Sequence, residues 1–196
     1  AGWLATVDWG TALAPIFYAK RKQIPLHIWV DETRPRNQGA LLTSWELKNE
    51  NISHTVIVDN AGGHLMQNKK IDMCLVGSDR TTISGNVCNK IGTYLKAVVA
   101  YENNIPFFVA LPTSTIDKKT KKISDIPIEL REGDELSTVN LKINNKFISA
   151  NIYEKDTPTF NPAFDVTPKK FITKLITEKG LCEPKQKLIK KLLENK

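Results

Sequence analysis

The stretch Val76-Gly77-Ser78-Asp79-Arg80-Thr81-Thr82-Ile83-Ser84-Gly85-Asn86-Val87-Cys88-Asn89-Lys90-Ile91-Gly92-Thr93-Tyr94 decides how this chain is read. The short apolar run before it, Met73-Cys74-Leu75-Val76, has the character of a buried strand. The segment after it, Tyr94 to Tyr101, places apolar residues at helical spacing. The connection between them is polar and carries an acid, an arginine, five hydroxyl side chains, an amide pair and a lysine. In a parallel sheet, a strand-to-helix connection lies at the carboxyl edge of the strands, where ligands bind. Polar residues are ordinary in solvated loops, but this density of mixed-role groups points to a site.

The same alternation extends outward on both sides. Leu26 to Val30, His54 to Val58 and Phe107 to Leu111 are further apolar runs of strand length. Helical patterns cover Trp9 to Lys20, with a kink or late start at Pro15, and also Ala40 to Asn49 and Ala61 to Gln67. Strands alternating with helices predict βαβ units around a parallel sheet, and near-continuous apolar strands predict helices on both faces. The expected fold is α/β, Rossmann-like and three-layered, with a mostly parallel sheet. Four strands end in polar residues, at Asp31-Glu32, Asp59-Asn60, Ser78-Asp79 and Thr113-Ser114, and the connection rules place all four along one edge. Further on, Val139 to Ala150 alternates around Asn144-Asn145, a hairpin with a primed turn. Thr167-Pro168 has the form of a helix start, and Pro184 to Lys196 that of an amphipathic helix.

Composition excludes several classes. At 196 residues the chain suits one domain with a sizeable core. Its 41% hydrophobic and 25% charged content is ordinary for a globular protein. The net charge of +7 is concentrated in Lys118-Lys119-Thr120-Lys121-Lys122 and the tail from Lys185 to Lys196. Neither run contains aromatic residues, which argues against nucleic acid as a partner. No apolar run approaches the roughly 20 residues that span a bilayer, and no signal peptide is visible. Cys74, Cys88 and Cys182, and His27, His54 and His64, are too scattered for a disulfide framework or a metal site. A reducing cytoplasm is the expected compartment. No G-x-G-x-x-G follows a strand, so no dinucleotide cofactor is implied, and Gly62-Gly63 suits a tight turn. Cys88 has no base nearby in sequence and reads as a packed thiol.

Asp79, at a strand end beside apolar residues, is placed for burial to tune its acidity. Two structural roles compete with that reading: pairing with Arg80, and capping the following helix. The adjacent acids Asp31 and Glu32 point in different directions, so a structural role near the site is as fitting as acid–base work.

Gly77-x-Asp79-Arg80 with Asn89-Lys90-Ile91-Gly92-Thr93-Tyr94 resembles the signature of the methylthioribose-1-phosphate isomerases, within the superfamily of the initiation factor 2B regulatory subunits. The resemblance spans nearly the whole chain. It includes Ala1 to Thr6, Asp31 to Gly39, Pro112-Thr113-Ser114-Thr115-Ile116-Asp117, Ile126-Pro127-Ile128-Glu129 and Asn161 to Pro168. It implies an aldose–ketose isomerase of methionine salvage, converting 5-methylthioribose 1-phosphate to 5-methylthioribulose 1-phosphate without a cofactor. It implies Asp79 as catalytic acid/base, Gln38, Asn89 and Lys90 as contacts to a phosphorylated pentose, and a homodimer. Asn86 stands where most members carry Asp. In that family the block matching Ala1-Gly2 follows a Thr-His-Cys-Asn segment whose Cys is catalytic, and a helical domain precedes it. Residues 1–196 are therefore expected to be the carboxyl-terminal catalytic domain, inactive without the amino-terminal one. The alternatives are a non-catalytic regulatory subunit related to initiation factor 2B and a ribose 1,5-bisphosphate isomerase. The regulatory relatives generally lack both the aspartate matching Asp79 and the Pro-Thr-Ser-Thr-Ile-Asp block.

Overall fold

The computed structural model describes residues 2–120, 122–154 and 156–194. Ala1, Lys121 and the end of the expected terminal helix, Asn195-Lys196, lie outside the described residues. A single turn, α1 (Trp3–Thr6), precedes α2 (Ala14–Arg21), which begins late because Pro15 suits only the first turn of a helix. β1 (Ile28–Asp31) is followed by a π-helical turn (Gly39–Thr43) that runs directly into α3 (Ser44–Asn49). β2 (His54–Ile57) pairs with β1 in parallel, so this first unit is βαβ, as the alternation predicts. Leu13 and Phe17 of the α2 region pack with Val30 of β1, Leu47 of α3 and Ile52 into one core cluster.

α4 (Ala61–Gln67), which takes Gly62-Gly63 into a helix and not the expected tight turn, leads to β3 (Cys74–Val76), and α5 (Thr93–Glu102) to β6 (Phe107–Ala110), which pairs with β3 in parallel. Ala97 and Ala100 have no exposed surface, so α5 approaches Phe107 and Val109 closely in the larger core cluster. Each fully buried Val, Leu or Phe there contributes about 1.5–3 kcal/mol.

The stretch between β3 and α5 differs from expectation: it is a pair of antiparallel strands, β4 (Arg80–Thr82) and β5 (Val87–Lys90), not a loop. Ile83 and Val87 are buried in the main core, and Thr81 and Thr82 are buried completely. Threonines tolerate this because the Ser78 and Thr81 hydroxyls hydrogen-bond at 2.8 Å, and those of Thr82 and Ser84 at 2.9 Å. Gly85 turns the hairpin at φ 97°, a left-handed conformation that favours glycine.

After a 3₁₀ turn (Thr113–Thr115), β7 (Ile116–Asp117) pairs with β4, and a second such turn (Ile123–Asp125) and α6 (Asp134–Ser137) follow. β8 (Thr138–Ile143) and β9 (Lys146–Asn151) form the expected hairpin, with Asn144 and Asn145 at φ 47° and 64° in a primed turn. The helix expected at Thr167-Pro168 is absent. Thr167 is buried as the last residue of β10 (Phe164–Thr167), which pairs antiparallel with β5. Only a 3₁₀ turn (Lys169–Phe171) separates it from β11 (Lys174–Thr177), which joins β6 in parallel and takes β12 (Gly180–Cys182) as an antiparallel edge. The burial of Ile172 and Leu175 in the core selects strand there. α7 (Gln186–Glu194) buries Ile189 and Leu192 on one face, as its amphipathic pattern predicts. The chain is thus an α/β, Rossmann-like protein with parallel β1-β2 and β3-β6-β11 pairings, plus a separate four-stranded sheet ordered β10-β5-β4-β7 that the sequence pattern does not announce.

Candidate active site

The ends of β1 and β2 are joined by a lysine from α5. Lys96 Nζ lies 3.0 Å from Asp31 Oδ2 and donates to the Asp59 carbonyl at 2.9 Å. The Asp59 carboxylate accepts the backbone N–H groups of Thr33 and Arg34, each at 2.7 Å, and so holds the turn after β1. Asp31 is therefore a structural acid. Burial raises its pKa, with Lys96 opposing. Beyond the end of β6, the Thr113 N–H and hydroxyl both donate to Glu178, the residue that follows the parallel neighbour β11.

That turn delivers Gln38 at the start of the π-helical segment. Gly39 follows because a Cβ at this position would lie 1.7 Å from the Asp31 carbonyl oxygen. The Gln38 Oε1 and Asn37 Oδ1 atoms are buried and have no hydrogen-bond partner among the described residues. Orphaned buried acceptors are uncommon and costly, and they mark this turn as a place where a polar ligand can supply donors.

Asp79 sits at the entrance to β4, its N–H donating to the Cys88 carbonyl at 3.0 Å. Neither structural role considered for its carboxylate holds. Arg80 pairs instead with Asp117, at 3.0 Å. The α5 N-terminus is capped by Asp165, which accepts Gly92 N–H at 2.7 Å and Tyr94 N–H at 3.0 Å. Among the described residues no hydrogen bond reaches the Asp79 carboxyl. The residue is exposed, yet the protein packed around the carboxyl partly desolvates it and raises its pKa, with Lys90 and then Arg131 opposing.

Lys90, at the end of β5, lies opposite Phe164 in the β5–β10 register and holds its Nζ 4.8 Å from that ring's centroid. Burial lowers its pKa, and the neighbouring Arg131 charge adds to this, while Asp79 opposes it. Arg131 comes from the segment before α6. Its guanidinium is 5.8 Å from the same ring and pairs with Glu129 at 3.2 Å and more distantly with Glu135 at 3.9 Å. Arg36 completes this charge network by pairing with Glu135.

Of the expected site residues, the structure brings Asp79 and Lys90 together. Asn89 is adjacent on β5, and its amide donates to the Thr93 hydroxyl at 3.0 Å. Gln38 has no hydrogen bond to the other three; its turn approaches them through Arg36, whose charge acts on Lys90. Asn86 is held in the β4–β5 turn, where its side chain donates to Ser84 and accepts the Lys169 N–H. It is therefore a turn residue. Cys88 is buried, and burial, Asp79 and Asp165 push its thiol up to about 11, which fits an inert packed group. Arg131, Lys96 and Asp165 carry no role in the sequence reading. Arg131 follows the Ile126-to-Glu129 block by two residues, and that spacing was its only local signal.

Residues 4–184 match the model of the initiation factor 2 subunit family. Methylthioribose-1-phosphate isomerases from Gluconobacter oxydans and Rhizobium meliloti are 58% and 56% identical over 93% and 98% of this chain. The chain spans about half the length of these curated relatives, 50% and 53%. Among solved structures, a translation initiation factor eIF-2B delta subunit from A. fulgidus superposes with a TM-score of 0.88 at 40% identity, over 99% of this chain and 54% of that one. A 5-methylthioribose 1-phosphate isomerase from Pyrococcus horikoshii gives the same TM-score and identity, over 100% of this chain and 53% of that one. With a match that runs from α1 to just before α7 and takes in every residue of the site described above, the chain belongs to the initiation factor 2 subunit family.

Proposed function

We propose that this chain carries the catalytic domain of a methylthioribose-1-phosphate isomerase. The observation that supports this best is the Asp79 carboxyl: raised in pKa, beside Lys90, and without a hydrogen bond among the described residues. A phosphate at C1 blocks the ordinary opening of the sugar ring. The reaction needs an acid to protonate the ring oxygen and a group to manage the proton at C2, and a carboxyl with raised pKa suits such transfers. Asp79 takes that acid–base role. Gln38, with its orphaned acceptor, and Asn89 hydrogen-bond the sugar hydroxyls, and Lys90 neutralises phosphate. The experiment is to assay the full-length protein with 5-methylthioribose 1-phosphate. Ketose formation at about 1 per second or faster supports the reading, and its absence refutes it.

The eIF-2B delta likeness favours a second reading, a non-catalytic regulatory subunit, because its fold match equals that of the isomerase structure. The 53–58% identity to relatives named as isomerases weighs against it. Turnover by the full-length protein separates the two. A ribose 1,5-bisphosphate substrate is tested in the same assay.

The protein we propose is a cytoplasmic homodimer. Its three described cysteines are all free, which fits a reducing compartment. Exposed apolar side chains such as Phe147 at 80% and Phe160 at 76% fit association. Among the described residues no helix is long and apolar enough to cross a membrane. Light scattering of the full-length protein at micromolar concentration would show twice the chain mass, and a monomer would overturn the dimer.

A further inference from the structure

We infer that Arg131 is a substrate-binding residue, which together with Lys90 forms a two-cation receptor for the phosphate of the substrate, centred on the Phe164 ring. The inference rests on the isomerase reading for the identity of the phosphate's carrier. It rests on geometry for the receptor.

The two cations arrive by separate routes. Lys90 ends β5 and is paired with Phe164 of β10. Arg131 belongs to the segment zipped against the approach to β10. Its N–H donates to the Asn161 carbonyl at 2.9 Å, the Ala163 N–H donates to the Glu129 carbonyl at 2.9 Å, and the buried Asn161 amide donates to the Glu132 carbonyl at 3.0 Å. This lacing fixes the backbone on both sides of Arg131 and delivers its guanidinium to the ring that Lys90 already faces, at 5.8 and 4.8 Å.

The pair has donors to spare. Among the described residues Lys90 Nζ makes no ion pair and no hydrogen bond, although the side chain is half-buried. An ammonium has three donors, and leaving them unused away from bulk water is unfavourable. Arg131 donates from Nε and Nη2 to the Glu129 carboxylate, both at 3.2 Å, and this holds the guanidinium in orientation. Its Nη1 faces Glu135 Oε2 at 3.9 Å, too far for a hydrogen bond. Glu135 in turn is engaged by Arg36. Two like charges converging on one ring, one of them uncompensated, disfavour each other until an anion arrives. The Arg131 charge accordingly depresses the Lys90 pKa, second only to burial. A planar, always-charged fork beside a point-charge ammonium suits a phosphate dianion. Asp79 lies near both, so the receptor would hold the phosphate end of the sugar against the proton-transferring carboxyl.

The test uses the full-length protein, with inorganic phosphate as probe in calorimetric titration and the sugar phosphate in steady-state kinetics. Arg131→Ala should weaken phosphate binding and raise KM by about 10- to 100-fold, with kcat within a few-fold of wild type. Arg131→Lys should recover part of the loss. Glu129→Gln separates binding from structure. It keeps an acceptor that orients the guanidinium but removes the negative charge that competes with phosphate, so phosphate affinity should stay or improve, whereas a Glu129–Arg131 clasp acting only structurally would make it fall as it does in Arg131→Ala. Unchanged phosphate affinity in Arg131→Ala, or equal losses in Arg131→Ala and Glu129→Gln, would overturn the proposal. If wild-type protein binds phosphate but turns over no methylthioribose 1-phosphate, the isomerase reading fails, and the Arg131 comparison still decides the receptor.

Discussion

Asp79→Asn is the substitution that most sharply separates chemistry from structure in this domain. The side chain is exposed, Arg80 is committed to Asp117, and the helix cap is made by Asp165. With no hydrogen bond to the carboxyl among the described residues, the amide removes no contact that supports the fold. Surface changes of that kind stay within about 0.5 kcal/mol. A group that moves a proton in the transition state contributes about 10²–10⁴ in rate, or roughly 3–5 kcal/mol of barrier. Asp79→Asn in the full-length protein should therefore lower kcat by at least about 100-fold. Its urea midpoint should stay within experimental error, and affinity for the substrate phosphate should barely change, because Lys90 is untouched. Turnover and denaturation must be measured on the same preparation. A stability loss above about 2 kcal/mol would mean that the carboxylate has a fold-supporting role, and turnover within tenfold of wild type would remove Asp79 from the chemistry.

Gly39→Ala should destabilise the protein by about 1–3 kcal/mol or more, because its Cβ meets the Asp31 carbonyl oxygen at 1.7 Å; a urea midpoint equal to wild type would show that the turn carrying Gln38 yields freely. Asp165→Ala removes acceptors from the Gly92 and Tyr94 N–H groups and should lower stability by about 1–2 kcal/mol; an unchanged melting temperature would show that water caps α5 equally well. Asp117 is held near a pKa of about 2, chiefly by the Thr120 N–H and then by other bonds from Thr120 and Lys119. A depressed carboxylate contributes stability that is complete above its unfolded pKa, near 4, and lost as pH falls toward 2. Acid titration followed by circular dichroism should accordingly show Asp117→Asn losing less stability across that window than wild type, and parallel curves would contradict this.

The sequence by itself determined the elements whose hydrophobic period is unambiguous. Parallel strands such as Phe107–Ala110, buried on both faces, appear as continuous apolar runs. α4 and the amphipathic α7 carry helical spacing, and Asn144-Asn145 carries its turn in its own backbone preferences. Asp79 is visible because polar groups gather where strands end, whereas Gln38, Asn89 and Lys90 are implied by the family resemblance. Tertiary structure alone decided the second sheet. Arg80–Thr82 and Val87–Lys90 are polar enough to look like a loop, and they become strands because β7 and β10, both distant in sequence, extend the ladder on either side of the pair. The same long-range pairing turned Thr167-Pro168 from a helix start into the end of a strand. Arg131 meets Lys90 only because both approach the Phe164 ring, a convergence that no local period encodes. The freedom of the Asp79 carboxyl is likewise non-local: its two neighbouring structural duties are taken by Asp117 and Asp165, residues distant in sequence that only the fold brings near.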